Sequence, residues 1–222
     1  MEHPKISQYL VSICLLIIDE FNELYGEKDQ AALRTIANEE FNEMDITVKL
    51  GYPFQHTVHY TIGDSTSKIR QNHDLFVKSK DFRIEVKFLK NWKNNTGHQT
   101  QSKTWAEYQK DFDWLFKEID DGKKDKRAFV IGWFNCVDHF SSLMQLGSEN
   151  GRNPPVNEER VCYFPFLRKT KANPHTYDLV YMYSIAYEAI PIQLTGEVER
   201  TGKYECIFLG QKTDKFHFAI FC

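Results

Sequence analysis

The sequence predicts an α/β fold with a mixed central sheet flanked by helices. Three observations lead there. Residues 6–25, 29–43 and 104–119 carry apolar side chains at helical spacing. Several shorter runs, of which RAFVIGWF (residues 127–134) is the plainest, are rich in aromatic and β-branched residues and have the length of strands. The two patterns alternate as helices, strands, helix, strand, and then give way to strands. A chain of 222 residues can bury a full core. Residues 1–222 read as one domain, with residues 159–222 as a strand-rich elaboration.

Residues 6–25 place Leu10, Ile13, Ile17, Phe21 and Leu24 on one helical face, and Gly26 suits the stop. The apolar run 9–18 is too short to cross a bilayer and meets Asp19 and Glu20 at once, so it reads as a buried helix with no membrane role. Residues 29–43 turn Leu33, Ile36, Ala37 and Phe41 inward. Pro53 opens an extended segment, with a strand over 54–62, a turn at Gly63-Asp64-Ser65 and strands over 68–77 and 82–90. After a polar loop at 91–98, the helix 104–119 presents Trp105, Tyr108, Phe112, Leu115, Phe116 and Ile119, and Asp120-Asp121-Gly122 ends it. Residues 148–158 read as a surface loop. Strands are expected over 161–167, 177–185, 187–197, 204–209 and 216–221.

A net charge of −3 excludes a globally basic nucleic-acid binder, so any phosphate-binding surface must be local. The five cysteines are scattered, odd in number and without a CxxC, which points to reduced thiols in a cytoplasmic protein rather than a disulfide framework or zinc site. His56 and His59 stand three apart on an expected strand and so face opposite ways. No nucleophile elbow or phosphate-cradling glycine loop occurs. Tyr181, Tyr183 and Tyr187 read as sheet packing.

The chemistry lies in HDLFVKSKDFRIEVKFLKNW, residues 73–92. On a strand, Phe82, Ile84, Val86 and Phe88 share one face and Arg83, Glu85 and Lys87 the other. The first set is a core face; the second is a charged row beside a core. A turn centred between Ser79 and Lys80 pairs Val77 with Phe82, Leu75 with Ile84 and Asp74 with Glu85, and a four-residue loop fits Lys78-Ser79-Lys80-Asp81 best. Directly opposed positions hold their Cβ atoms about 5 Å apart, where like charges repel. A divalent cation offsets that repulsion, since Mg²⁺ is held through one or two carboxylates with waters and substrate phosphate. The plainer reading of Glu-x-Lys is a solvated strand face. Asp121-Gly122-Lys123 repeats the triplet in a helix-ending turn, so it is the setting of Glu85 and Lys87 that carries the metal reading.

Asp74 followed by Glu85-Val86-Lys87 resembles the motif of the PD-(D/E)xK phosphodiesterase superfamily, whose members have the restriction-endonuclease-like fold. The likeness covers roughly residues 29–134, where a helix, three strands, a helix and a further strand follow in the family's order. His73 stands where the family often has proline, and Asp64 is the other contender for the first acid. The resemblance implies a Mg²⁺ site made by Asp74, Glu85 and the Val86 carbonyl, with Lys87 as the third catalytic residue. It also implies an additional acid from the first core helix, for which Glu39, Glu40 and Glu43 all qualify. Gln101-Ser102-Lys103-Thr104-Trp105 loosely resembles the glutamine motif of RecB-like members.

Residues 78–103 hold seven basic residues against two acidic ones. This local excess of positive charge makes Lys90, Lys93, Gln101 and Lys103 candidates for nucleic-acid contact. The expectation is therefore a Mg²⁺-dependent DNA endonuclease of restriction or defence type, acting on double-stranded DNA as a homodimer. A non-catalytic immunity or inhibitor protein that binds a protein partner on the same fold is the alternative.

Overall fold

A computed structural model describes residues 4–60, 74–90, 104–136, 140, 144, 146, 156–173 and 176–222. In chain order the elements are α1 (Ile6–Tyr25), α2 (Gln30–Thr35), α3 (Glu43–Gly51), β1 (Val58–Tyr60), β2 (Leu75–Val77), β3 (Phe82–Phe88), α4 (Thr104–Glu118), β4 (Arg127–Phe134), α5 (Glu158–Val161), β5 (Leu167–Asn173), β6 (Thr176–Tyr181), β7 (Ala189–Pro191), β8 (Glu205–Leu209) and β9 (Phe216–Phe221). The architecture is α/β, with a mixed seven-stranded sheet in the order β1-β2-β3-β4-β9-β8-β7 and a separate β5-β6 ribbon. β3 and β4 are parallel, while the other sheet neighbours pair antiparallel.

Strand alternation sorts the sheet's side chains into two cores. Phe82, Ile84, Val86 and Phe88 of β3, Ala128, Val130 and Phe134 of β4, and Phe216, Phe218 and Ile220 of β9 pack under α1, α2 and α3. Phe129, Ile131 and Trp133 of β4, Ala219 and Phe221 of β9, and Phe208 of β8 pack under α4 and the segment around Phe164 and Phe166. All eight residues of β4 are buried, as a strand covered on both faces must be. Gly132 is required there, because a Cβ would lie 2.9 Å from the Phe216 ring and 3.0 Å from that of Phe218.

Several elements differ from the sequence reading. The expected helix 29–43 is interrupted. After α2 a π-helical turn runs Ile36–Glu40, Phe41 is extended, and α3 begins afresh. Asn42 causes the restart: its side chain accepts from Met44 N at 2.8 Å, and its own N–H donates to Asp45 Oδ2 at 2.8 Å. On α1, Leu24 is 58% exposed and Cys14 is fully buried, so the inward stripe runs through Leu10, Cys14, Ile17 and Phe21. Gly26 follows α1 in right-handed rather than left-handed conformation (φ −51).

The strand expected over 54–62 is β1 alone among the described residues, since Tyr52–Phe54 form a 3₁₀ turn and His56 lies in a further turn. β2 is seen at its Leu75–Val77 end, and β3 stops at Phe88 rather than at 90. Of residues 161–167 only Leu167, which opens β5, is strand, because Asn157 caps α5 by accepting from Arg160 N and turns follow it. Of 187–197 only Ala189–Pro191 form a strand, at the sheet's edge where a proline is tolerated, and Tyr187 N and Ile192 N add single bonds to the Phe208 and Tyr204 carbonyls on either side. Tyr181 packs on Trp133 and Phe208, whereas Tyr187 is 43% exposed at positive φ.

Arg127 opens β4 with its side chain 1% exposed. Its Nε donates to Glu118 at 2.6 Å, and Nη1 donates to the carbonyls of Asp81 and Lys126 at 2.6 and 3.0 Å. These bonds tie the end of α4 and the β2–β3 turn to β4. Burial raises the Glu118 carboxyl, but the bonds from Arg127 and Lys123 outweigh it and hold the group below its ordinary value. Glu118→Ala strands a buried guanidinium and should destabilise the fold by about 3 kcal/mol in urea unfolding at neutral pH. Because the folded pKa is depressed, the stabilisation is present above the ordinary carboxylate pKa. The gap between wild type and variant should therefore narrow as pH falls through the folded value.

Candidate active site

The β2–β3 hairpin has the register expected from sequence: Val77 faces Phe82, Phe76 faces Arg83 and Leu75 faces Ile84. Its loop is a 3₁₀ turn over Lys78–Lys80, closed by Asp81 in left-handed conformation (φ 56), which aspartate tolerates. Asp74 continues the hairpin by donating its N–H to the Ile84 carbonyl at 3.1 Å. Its Oδ2 then accepts from Val86 N at 2.8 Å. A residue's N–H and C=O leave a strand on the same side, so the Val86 carbonyl also points to the β2 side. Phe88 N points the same way and donates to Glu43 Oε2 at 3.4 Å. Two carboxylates thus occupy donors beyond the paired part of β2, and this fixes them against β3.

Glu43 is therefore the helix acid that reaches the site. It does so as the first residue of α3, aimed by the Asn42 cap. Glu39 and Glu40 are exposed in the π-helical turn, where Glu40 acts on Tyr25 instead. Lys87 Nζ lies 3.7 Å from Glu43, 3.7 Å from Glu85 and 3.6 Å from Asp111. All three distances are ion-pair rather than hydrogen-bond lengths, so the ammonium is attracted by three acids without being committed to one.

Asp111 was not anticipated. It sits on α4 three residues after Tyr108 and four before Leu115, on the buried flank of the helix. Its Oδ2 is buried and has no hydrogen-bond partner. An acid at that phase of an apolar helix, next after a Glu-x-Lys strand, was the signal that could have found it.

Four carboxylates around one amine leave a net negative pocket, and the titration of the groups reflects this. Burial, then Asp74 and Asp111, push Glu85 up to about 9 against the pull of Lys87, and Glu85 shares a hydrogen bond with Asp74. Burial raises Asp111 to about 7, with Lys87 opposing and Asp74 and Glu43 adding to the rise. Glu43 is raised by burial and by Asp74, with Lys87 and the Phe88 N–H opposing. Burial alone would lower Lys87, but Asp111, Glu43, Asp74 and Glu85 outweigh it and hold the amine above its ordinary value.

Among the described residues, no group of three or more His, Cys, Asp or Glu side chains has metal-holding geometry as it stands. The donor set nevertheless suits a hard cation. Two hydrogen-bonded carboxylates, an adjacent backbone carbonyl and an excess of negative charge are what Mg²⁺ takes, with water completing its shell. Lys90, half-buried just past β3, donates to the Phe41 carbonyl at 3.4 Å. Asp64, His73, Lys93, Gln101 and Lys103 lie outside the described residues. No described helix is long and apolar enough to cross a membrane.

No protein-family model and no solved structure matches the chain. A 118-residue stretch is 29% identical to an uncharacterized protein of Mycoplasma pneumoniae, covering 48% of this chain and 47% of that protein. The chain thus spans about half the length of the curated relative it matches.

Glu85 and Asp111 bind protons more tightly when folded than when unfolded. Stability of the metal-free protein should therefore fall as pH rises from about 4.5 toward about 9. Glu85→Gln removes most of that slope. At a pH of about 8.5 it should raise stability by about 1–2 kcal/mol, or roughly 2–8 °C in melting temperature. Thermal melts in chelator across this pH range measure it; a wild type whose stability does not fall would contradict the charge crowding.

Proposed function

We propose that the chain is a Mg²⁺-dependent nuclease of PD-(D/E)xK type that hydrolyses phosphodiester bonds in DNA. The observation that carries this reading is the convergence of Asp74, Glu85 and Lys87, from neighbouring strands, on one half-buried face with Glu43 and Asp111. The order of elements supports it. A helix, the antiparallel strands β1, β2 and β3, the helix α4, and β4 parallel to β3 follow as in that superfamily's core. The basic residues clustered in 78–103 suit a polyanionic substrate, and five scattered cysteines without a CxxC suit a reducing, cytoplasmic setting.

In this reading Asp74, Glu85 and the Val86 carbonyl hold the cation, and Glu43 adds charge from α3. A bound Mg²⁺ supplies Lewis-acid polarisation of the phosphodiester and a more acidic water. The protein's own part is positioning and charge. Asp74 is fixed by the Val86 N–H, so its carboxylate needs little reorganisation on binding. Lys87 stays protonated among its acids and meets the negative charge that develops on the phosphate oxygens. Asp111 and Glu43 hold the ammonium from two sides and keep it over Glu85. The crowding of carboxylates in the metal-free site favours any added cation and couples its binding to proton release.

Cleavage of plasmid DNA with and without Mg²⁺ tests the reading. Asp74→Asn and Glu85→Gln should each abolish cleavage while leaving the fold intact. Lys87→Ala should lower the single-turnover rate by roughly 10²–10³-fold with a much smaller loss of DNA binding. Millimolar Mg²⁺ should raise the melting temperature of wild type and not that of Asp74→Asn. A wild type that cleaves no nucleic acid and gains no stability from Mg²⁺ would overturn the reading in favour of a non-catalytic binding protein.

A further inference from the structure

The row that carries Glu85 and Lys87 also carries Arg83. It precedes Glu85 by two residues, or about 6.6–6.8 Å by strand rise. Its cross-strand partner is Phe76, and the guanidinium carbon sits 5.2 Å from that ring's centroid. Phe76 is paired in turn with His59 of β1, whose ring lies 6.3 Å away, centroid to centroid. His59, Phe76 and Arg83 thus form a rung across the sheet, and Glu85 stands at the next position on the same face of β3.

Arg83 is held but not committed. Its Nε is shielded from solvent and has no hydrogen-bond partner, and among the described residues no carboxylate pairs with it. The two acids nearest in sequence have other ion partners: Asp81 lies 3.7 Å from both Lys126 and Arg127, and Glu85 lies 3.7 Å from Lys87. A guanidinium braced on an aromatic face, half-buried and with its Nε unspent, is suited to a planar or tetrahedral oxyanion. Next to four acids, an anion site makes sense only for a ligand that also brings a cation or a second anionic group bound through one. Successive phosphates of a nucleic-acid strand are spaced much as Arg83 is from Glu85.

We propose that Arg83, braced on Phe76, holds the phosphate adjoining the one at Asp74, Glu85 and Lys87, so that the site takes a polynucleotide strand rather than an isolated phosphodiester. This rests on the nuclease reading above. The stack on Phe76 restricts the guanidinium before substrate arrives, so less side-chain freedom is lost on binding. The bound strand would run along β3, with one phosphate at each of two consecutive rungs.

Two substrates separate this inference from the reading beneath it: a short DNA duplex, and bis(p-nitrophenyl) phosphate, which has no neighbouring phosphate. With Arg83→Gln, the ratio of kcat/KM for the duplex to that for the small diester should fall by roughly 10–100-fold, chiefly through KM. Arg83→Lys should recover part of the loss. Phe76→Leu, which keeps apolar bulk but removes the ring, should lower the ratio in the same direction by less. In chelator, duplex binding by Arg83→Gln measured by fluorescence anisotropy should weaken, with the salt slope reduced by about one.

A neutral methylphosphonate beside the scissile position should impose the same loss on wild type and no further loss on Arg83→Gln. Equal proportional losses on both substrates, or full sensitivity of Arg83→Gln to the methylphosphonate, would overturn the anchor and leave Arg83 as packing on Phe76. A wild type that hydrolyses neither substrate would overturn the nuclease reading itself, and the anchor with it.

Discussion

The parallel pairing of β3 with β4 is the constraint from which the rest of the arrangement follows. Two parallel neighbours cannot be joined by a tight turn, so the chain must leave one end of the sheet and return to the other. The return is made by α4, which lies across the face opposite α1 and α3. That crossing buries β4 on both sides and brings Asp111 against the outer row of β3. Without it, Glu85 and Lys87 would stand on an open sheet face, with water rather than a helix as their neighbour. The buried contact of Arg127 with Glu118 and with the Asp81 carbonyl closes the crossing at its far end.

Inside the crossing, charge is balanced unevenly. Three carboxylates surround Lys87 at nearly equal distances, and a fourth, Asp74, is spent partly on a backbone N–H. A burial of this kind stabilises nothing by itself. It persists because the surrounding sheet and helices, packed through two aromatic-rich cores, carry the fold independently of the site. Glu85 and Asp111 are both held above the ordinary carboxylate range, because the cluster gathers more acids than its one amine balances.

What could be read from sequence follows the range of the interactions. The β2–β3 hairpin is local, so alternation and one turn centre suffice to give its register and to put Asp74 beside Glu85. The amphipathic α4 and β4, apolar throughout after Arg127, are equally plain, because each is a single pattern over a whole element. The choice of Glu43 was not legible. It depends on the break at Phe41 and on the Asn42 cap, which restarts a helix inside a pattern that continues through it. Asp111 depends on where α4 lands on the sheet, a long-range fact. The C-terminal strands showed the same limit: β9 was plain as a strand, but its place beside β4 was not.

That placement of β9 has a consequence for how the chain reaches its native state. During synthesis β4 emerges with one edge free, and the strand that covers this edge comes only after the β5–β6 ribbon, β7 and β8. Until then AFVIGWF, residues 128–134, is an uncharged, aromatic-rich run with one edge free, the kind of segment that recruits another copy of itself. The interval before β9 closes this edge is therefore the stage of synthesis at which self-association competes most directly with folding.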